Sequence, residues 1–255
     1  MLNSVKKIGG CSVRATDGLV GHVGDVFFDD QCWAIRYIVV DTGRWLSGRR
    51  VLISPYAVEQ PLCTIKKIEL ALTRKQIVGS PGGGAHEPVS RQHEQTLVDY
   101  YGHPAWWEGG GLWARGGYPR LPLPAETGAE FDASRANIRA FPARQAGLCR
   151  AERVNGYAIQ CIDGSVGHVC DYLFDDESWA IRYFVVETRN RWPGGAQVLI
   201  GTHWLGQVDW PEGSVRVLIT RAQVHTSPIY DAKSPVHRDY EHRLHEAYDR
   251  TGYWG

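Results

Sequence analysis

The sequence predicts an all-β protein with minor helix. It is expected to form two small antiparallel β-barrels in tandem, each followed by a C-terminal amphipathic helix, related by a pseudo-twofold axis. Three observations carry this. The chain is written twice, each copy is built of short strands cut by turn residues, and each copy ends in a segment of helical spacing.

The duplication is plainest in "GHVGDVFFDDQCWAIRYIVVDT" (Gly21–Thr42) and "GHVCDYLFDDESWAIRYFVVET" (Gly167–Thr188), where 15 of 22 positions are identical. The match extends to "VLISPYAVEQ" and "VLIGTHWLGQ", to "LTRKQIVGSP" and "ITRAQVHTSP", and to "PVSRQHEQTLVDYYGHPAWW" and "PVHRDYEHRLHEAYDRTGYW". The offset is 146 residues up to Thr42 and 147 beyond it. A repeat this long is one domain written twice, not an array of short solenoid units. The expected division is residues 1–107 for the first copy and 148–255 for the second. A Gly/Pro/Arg-rich linker fills 108–147, whose Trp113, Phe131, Ile138 and Phe141 could dock on a barrel surface.

Within each copy, runs rich in Val, Ile, Tyr, Trp and Phe are punctuated by Asp-Gly and Asp-Asp, the pattern of short strands and turns. Five or six such strands per copy suggest a closed barrel, because closure removes exposed edges. Gly21 and Gly24 within a strand suggest tight bends. The terminal segments place Leu97, Tyr100 and Tyr101, or Tyr240, Leu244 and Tyr248, at helical spacing. Helices are expected at about 90–101 and 237–249. Being short, they need a surface to lie on, which could be their own barrel, the sister barrel or another chain.

Composition narrows the function. With 28 basic and 28 acidic residues the chain has no basic footprint for direct nucleic-acid binding. No stretch approaches the roughly 18 apolar residues of a spanning helix, and the N-terminus lacks a signal peptide. The expectation is a cytoplasmic protein without membrane insertion. The six cysteines contain no C-x-x-C, and none falls opposite a cysteine of the other copy, so reduced thiols are expected.

No nucleophile elbow, zinc-protease motif or phosphate loop is present, so the reading is not an enzyme, with no catalytic residues and no cofactor. His22 with Asp25, and His168 with Asp171, are the candidate metal ligands, but residues three apart on a strand point to opposite faces. No metal is assigned. The histidines in or near the terminal helices (His86, His93, His103, His237, His242 and His245) do not occupy matching positions, which argues against a shared site. Arg36 and Arg182 lie in apolar strands and need partners there. Asp25 and Asp171 on the preceding strand are the expected ones, giving a brace in each barrel. Tyr101, Trp106 and Trp107, with Tyr248, Tyr253 and Trp254, are candidate interaction residues, since Tyr and Trp dominate interface hot spots. They could equally fill a groove within the chain.

The Gly-rich strand, the "FDD" turn, the "WAIRY" strand and the "VLI" strand resemble the PRC-barrel family, in both copies. The terminal "SPV.R..E..L...Y.....W" element resembles that of a stand-alone bacterial subgroup with two such barrels. The family includes the cytoplasmic barrel of the photosynthetic reaction centre H subunit and the C-terminal barrel of a ribosome maturation factor. The resemblance implies a non-catalytic adaptor or assembly protein, accessory to a photosynthetic or electron-transfer complex by analogy. The partner is an unidentified protein or a second copy of the chain, most simply as a dimer. Alternatives are a ribosome-assembly accessory and a metal or small-ligand sensor.

Overall fold

The computed structural model describes residues 1–59, 66–82, 89–114, 116–121, 148–188 and 196–254. Strand is the main regular structure among the described residues. β1 (Leu2–Ser4) precedes β2 (Ser12–Ala15), β3 (Gly18–Asp29), β4 (Ala34–Asp41), β5 (Arg50–Ile53) and β6 (Lys67–Glu69). The second copy supplies β7 (Leu148–Arg150), β8 (Ala158–Cys161), β9 (Gly164–Asp175), β10 (Ile181–Glu187), β11 (Gln197–Gly201), β12 (Leu205–Asp209) and β13 (Ser214–Val217).

Two compact units result. Unit 1 comprises Met1, Lys7–Arg150 and Asp176–Ala180, and unit 2 comprises Leu2–Lys6, Ala151–Asp175 and Ile181–Gly255. The first sheet runs β5-β4-β3-β2-β6, with β7 also on β3. The second runs β11-β10-β9-β8-β13-β12, with β1 also on β9. In neither does the ladder close into a ring among the described residues, so the expected barrel closure is not found. The chain rounds the corner after β5 and β11 through 3-10 turns at Pro55–Ala57 and Thr202–Trp204 instead.

The opening strands are exchanged between the copies. β1, which begins copy one, completes the unit 2 sheet through Leu2↔Asp175, Asn3↔Phe174 and Ser4↔Leu173. β7, which begins copy two, completes the unit 1 sheet through Leu148↔Asp29, Cys149↔Phe28 and Arg150↔Phe27. The two registers are equivalent position by position. The same aspartate fixes both. Asp25 accepts from Arg150 Nε at 2.8 Å, whereas Asp171 accepts from the Ser4 hydroxyl and, at 3.0 Å, from the Lys6 amide.

The central strands explain the long apolar runs. Every residue of β4 from Ala34 to Val40 is buried, so this strand does not alternate. β3 and β9, each of 12 residues, carry bulges at equivalent places. Gly21 and Gly167 are obligatory where these strands press on the end of the next one: a Cβ there would run into the Asp41 or Glu187 carbonyl oxygen. Gly24 is under no such constraint, with Val39 oxygen 3.8 Å from a Cβ at that position, and its counterpart is Cys170.

Two helices come after each sheet. The short helices Arg74–Val78 and Arg221–Thr226 both open on a capping box, Thr73/Gln76 and Thr220/Gln223. The terminal helices are Arg91–Tyr101, ending at the left-handed Gly102, and Arg238–Ala247. No helix among the described residues is long and apolar enough to cross a membrane.

The exchange makes a direct prediction. With a protease site inserted after Arg135 and cleaved, each fragment still carries a strand that completes the other unit's sheet. The fragments are expected to co-elute in native size-exclusion chromatography and to separate only in denaturant. Separation without denaturant would contradict the exchange.

Candidate functional site

The terminal helices fix the most elaborate side-chain arrangement in each unit. An Arg and a Glu three residues apart share one helix face. In unit 1 these are Arg91 and Glu94, paired at 2.9 Å; in unit 2 they are Arg238 and Glu241, also at 2.9 Å. Both carboxylates are turned onto the sheet and are only 1% and 3% exposed. A buried carboxylate costs several kcal/mol unless donors meet it, and each copy supplies the same set. The strand tyrosine faces it in both units: Tyr37 lies close enough to Glu94 for the two to interact electrostatically, and the Tyr183 hydroxyl donates to Glu241 at 2.9 Å. The aromatic after the helix donates as well, through Trp106 Nε1 at 2.9 Å in unit 1 and the Tyr253 hydroxyl at 2.9 Å in unit 2.

That aromatic is also the middle of a stack. In unit 1 the Arg36 guanidinium lies 4.0 Å from the Trp106 ring, and Arg91 lies 4.6 Å from Trp106 and 4.2 Å from Trp107. In unit 2 Arg182 lies 4.2 Å from Tyr253, while Arg238 lies 5.5 Å from Tyr253 and 4.3 Å from Trp254. Both units thus stack strand Arg, aromatic, helix Arg and outer Trp in the same order. Each such contact contributes about 0.5–2 kcal/mol.

Arg36 and Arg182 do pair with aspartates, but not with the expected ones. Arg36 Nη2 donates to Asp29 Oδ2 at 3.0 Å, with both side chains buried, and Nη1 donates to the Leu112 carbonyl. Arg182 faces the equivalent Asp175 at 3.7 Å and is partly exposed. The predicted Arg36–Asp25 and Arg182–Asp171 braces are therefore corrected. Asp25 lies opposite Val39 in the β3–β4 register, three residues along from Arg36 and roughly 10 Å away at strand rise. Asp25 and Asp171 hold the exchanged strands instead.

The other sequence candidates have separate places. Trp106 and Tyr248 are core residues; Tyr101, Trp107, Tyr253 and Trp254 are half-buried. Trp106 packs in unit 1 and Tyr253 in unit 2, so each helix lies on its own sheet. Trp113 docks too: its ring is 4.8 Å from Arg36, and its Nε1 donates to the Ser178 carbonyl at 2.7 Å. Phe131, Ile138 and Phe141 lie outside the described residues. His22 is exposed on β3, and His168 faces Glu187 at 3.5 Å. Among the described residues no group of three or more His, Cys, Asp and Glu could hold a metal ion.

The PRC-barrel domain family matches residues 2–68, from β1 into β6. No curated protein matches the chain closely enough to count as a relative. The PRC-barrel match contains Asp29, Arg36 and Tyr37 but ends before Arg91, Glu94 and Trp106. The helix and aromatic tail are thus carried by residues outside the matched stretch, clamped onto it through the PRC-barrel residues.

Sequence reasoning passed over Tyr37, Arg91 and Glu94 with their counterparts Tyr183, Arg238 and Glu241. The signal was present, since all three are identical between the copies.

Electrostatics distinguishes Glu94. Burial, only partly offset by Arg91 and the Trp106 donor, pushes its carboxyl up to about 7. The folded protein therefore holds a proton there that the unfolded chain releases near pH 4.5. Stability from this group is fully present below that pH and lost as pH rises towards 7, by about 3 kcal/mol. Glu94→Gln, which keeps an acceptor for Trp106, should flatten that dependence. In urea unfolding at pH 5 and pH 8, the wild type is expected to lose more stability than the variant over this interval. Equal losses would remove the assignment.

Proposed function

We propose that the protein is a non-catalytic adaptor or assembly module that acts through protein–protein contacts of its barrel faces and aromatic tails. The observation that carries this is the outer Trp of each stack. Trp107 and Trp254 are half-buried, each held on one side by a helix arginine, at 4.2 and 4.3 Å. A large ring fixed in place loses little further entropy when a partner covers it, which is what makes Trp an effective anchor.

The state of the reactive groups favours the same reading. Burial pushes the Cys161 thiol up to about 11 and also raises Cys11, so neither is a thiolate near neutrality. Burial pushes the His103 and His203 imidazoles down to about 4. The buried carboxylates are engaged in holding the helices. The partner is a protein surface, either of another component or of a second copy of the chain.

The test is affinity capture of tagged protein from its native cells under mild cross-linking, compared with the Trp107→Ala/Trp254→Ala double variant. A specific partner retained by the wild type should fall at least about tenfold in the variant, with far-ultraviolet circular dichroism unchanged, as expected for loss of two aromatic anchors. Undiminished capture would contradict the proposal.

A further inference from the structure

The unit 2 clamp contains a titratable group that unit 1 lacks. His245 sits where the first copy has Val98, one turn beyond Glu241 on the same helix face, and is 3% exposed. Its Nδ1 is 2.9 Å from the Thr251 carbonyl oxygen, and its Nε2 is 2.9 Å from the Tyr183 hydroxyl. That same hydroxyl is 2.9 Å from Glu241 Oε1.

The protons in this chain can be counted. A carbonyl oxygen only accepts, so Nδ1 carries a hydrogen. Glu241 Oε1 and His245 Nε2 then approach one phenolic hydroxyl from two sides. With an ionised carboxylate and a neutral imidazole, two contacts of hydrogen-bond length share a single proton. One of them is then a buried approach of lone pairs, which costs about as much as an unsatisfied polar group. The other donors on Glu241 are the Tyr253 hydroxyl on Oε1 and Arg238 on Oε2. Neither fills the gap.

We propose that unit 2 is closed by a proton: Tyr183, Glu241 and His245 form a lock that is complete only when they share one proton more than a phenol, a carboxylate and a neutral imidazole carry. Two protonation patterns complete it. An imidazolium donates to Tyr183, which donates to Glu241; or a protonated Glu241 donates to Tyr183, which donates to His245. When the proton leaves, the segment Tyr248–Trp254 loses its hold. That segment is tied through the Thr251 carbonyl and the Tyr253 hydroxyl, and by Trp254 packing 4.8 Å from the His245 ring. The lock stands whether or not Trp254 meets a partner.

The surrounding charges are mixed. Glu241 on the same helix favours the proton. His242, also on that helix, opposes it; Arg182 and Arg250 act on the neighbouring His203, and Arg238 is paired with Glu241. His203, stacked on His245 at 5.5 Å from the turn after β11, is held neutral by burial. Tyr183 and Tyr253 complete the ring of titratable neighbours. Burial by itself lowers the His245 imidazole, so the unmatched contact and burial act in opposite directions, and their balance is measurable.

The experiment tracks the 15N shifts of the His245 ring, assigned by their loss in His245→Val, together with the 13C carboxyl shift of Glu241, between pH 5 and pH 9. One proton is expected to leave the trio with a midpoint above the ordinary imidazole value of about 6.5, and Tyr183→Phe should lower that midpoint. Either a titrating ring or a titrating carboxyl above that value supports the lock. A neutral ring with an ionised carboxyl at every pH above 6 overturns it. Hydrogen exchange of Tyr248–Trp254, corrected for intrinsic rates, should speed up through the same midpoint in the wild type. His245→Val, which copies the valine of unit 1, should abolish that step; a step that persists in the variant overturns the proposal.

Discussion

A carboxylate on the inner face of a short helix is the constraint on which much of each unit depends. Helices of about three turns hold poorly alone, and Glu94 and Glu241 would repel the sheet if left without donors. Each is met from three directions: a strand tyrosine, the helix's own arginine, and an aromatic from the segment beyond the helix. The requirement fixes the helix and that segment together. Trp106 or Tyr253 must return to the carboxylate, and in doing so it covers the strand arginine. Arg36, buried beside Asp29, then lies between two indoles, so the cost of burying its charge is offset by an ion pair and two ring faces at once.

The two copies use this frame differently. Unit 1 adds Trp113 over Arg36 and has valine at position 98, leaving Glu94 with a raised carboxyl. Unit 2 replaces Trp106 by Tyr253, Ala57 by Trp204 and Val98 by His245. The result is a ring-lined cluster in which a histidine meets the carboxylate through a shared hydroxyl. The arginine's exposure changes in step: Arg36 is wholly buried, whereas Arg182 is partly open. Duplication preserved the order of the stack, and divergence changed its polarity.

Much of the fold was legible because repetition amplifies weak signals. Strands of four or five residues are ambiguous singly, but the matched "VGHV", "WAIRY" and "VLI" runs located the central strands, and spacing located both terminal helices. The strand exchange was not legible, since β1 and β7 take equivalent registers in the two sheets and nothing in three residues says which sheet each one joins. Ladder closure was over-read: a corner turned by a 3-10 turn has the same residue pattern as a closed edge. At the site, the need of Arg36 for a carboxylate was correct while its partner was not, because Arg36 is itself the extra residue of a β4 bulge, between Tyr37 opposite Phe27 and Ile35 opposite Phe28, and no residue type announces it. Glu94 and Glu241 escaped notice because Glu in an amphipathic helix usually faces water.

The central claim is that the buried glutamate holds helix and tail to the sheet as one piece. Hydrogen exchange read by mass spectrometry on Glu94→Ala tests it most directly. The account predicts that protection falls together across Arg91–Tyr101 and Ala105–Ala114, while β3 and β4 keep theirs. Helix protection that survives the substitution, or a loss spread evenly over the whole unit, would contradict it.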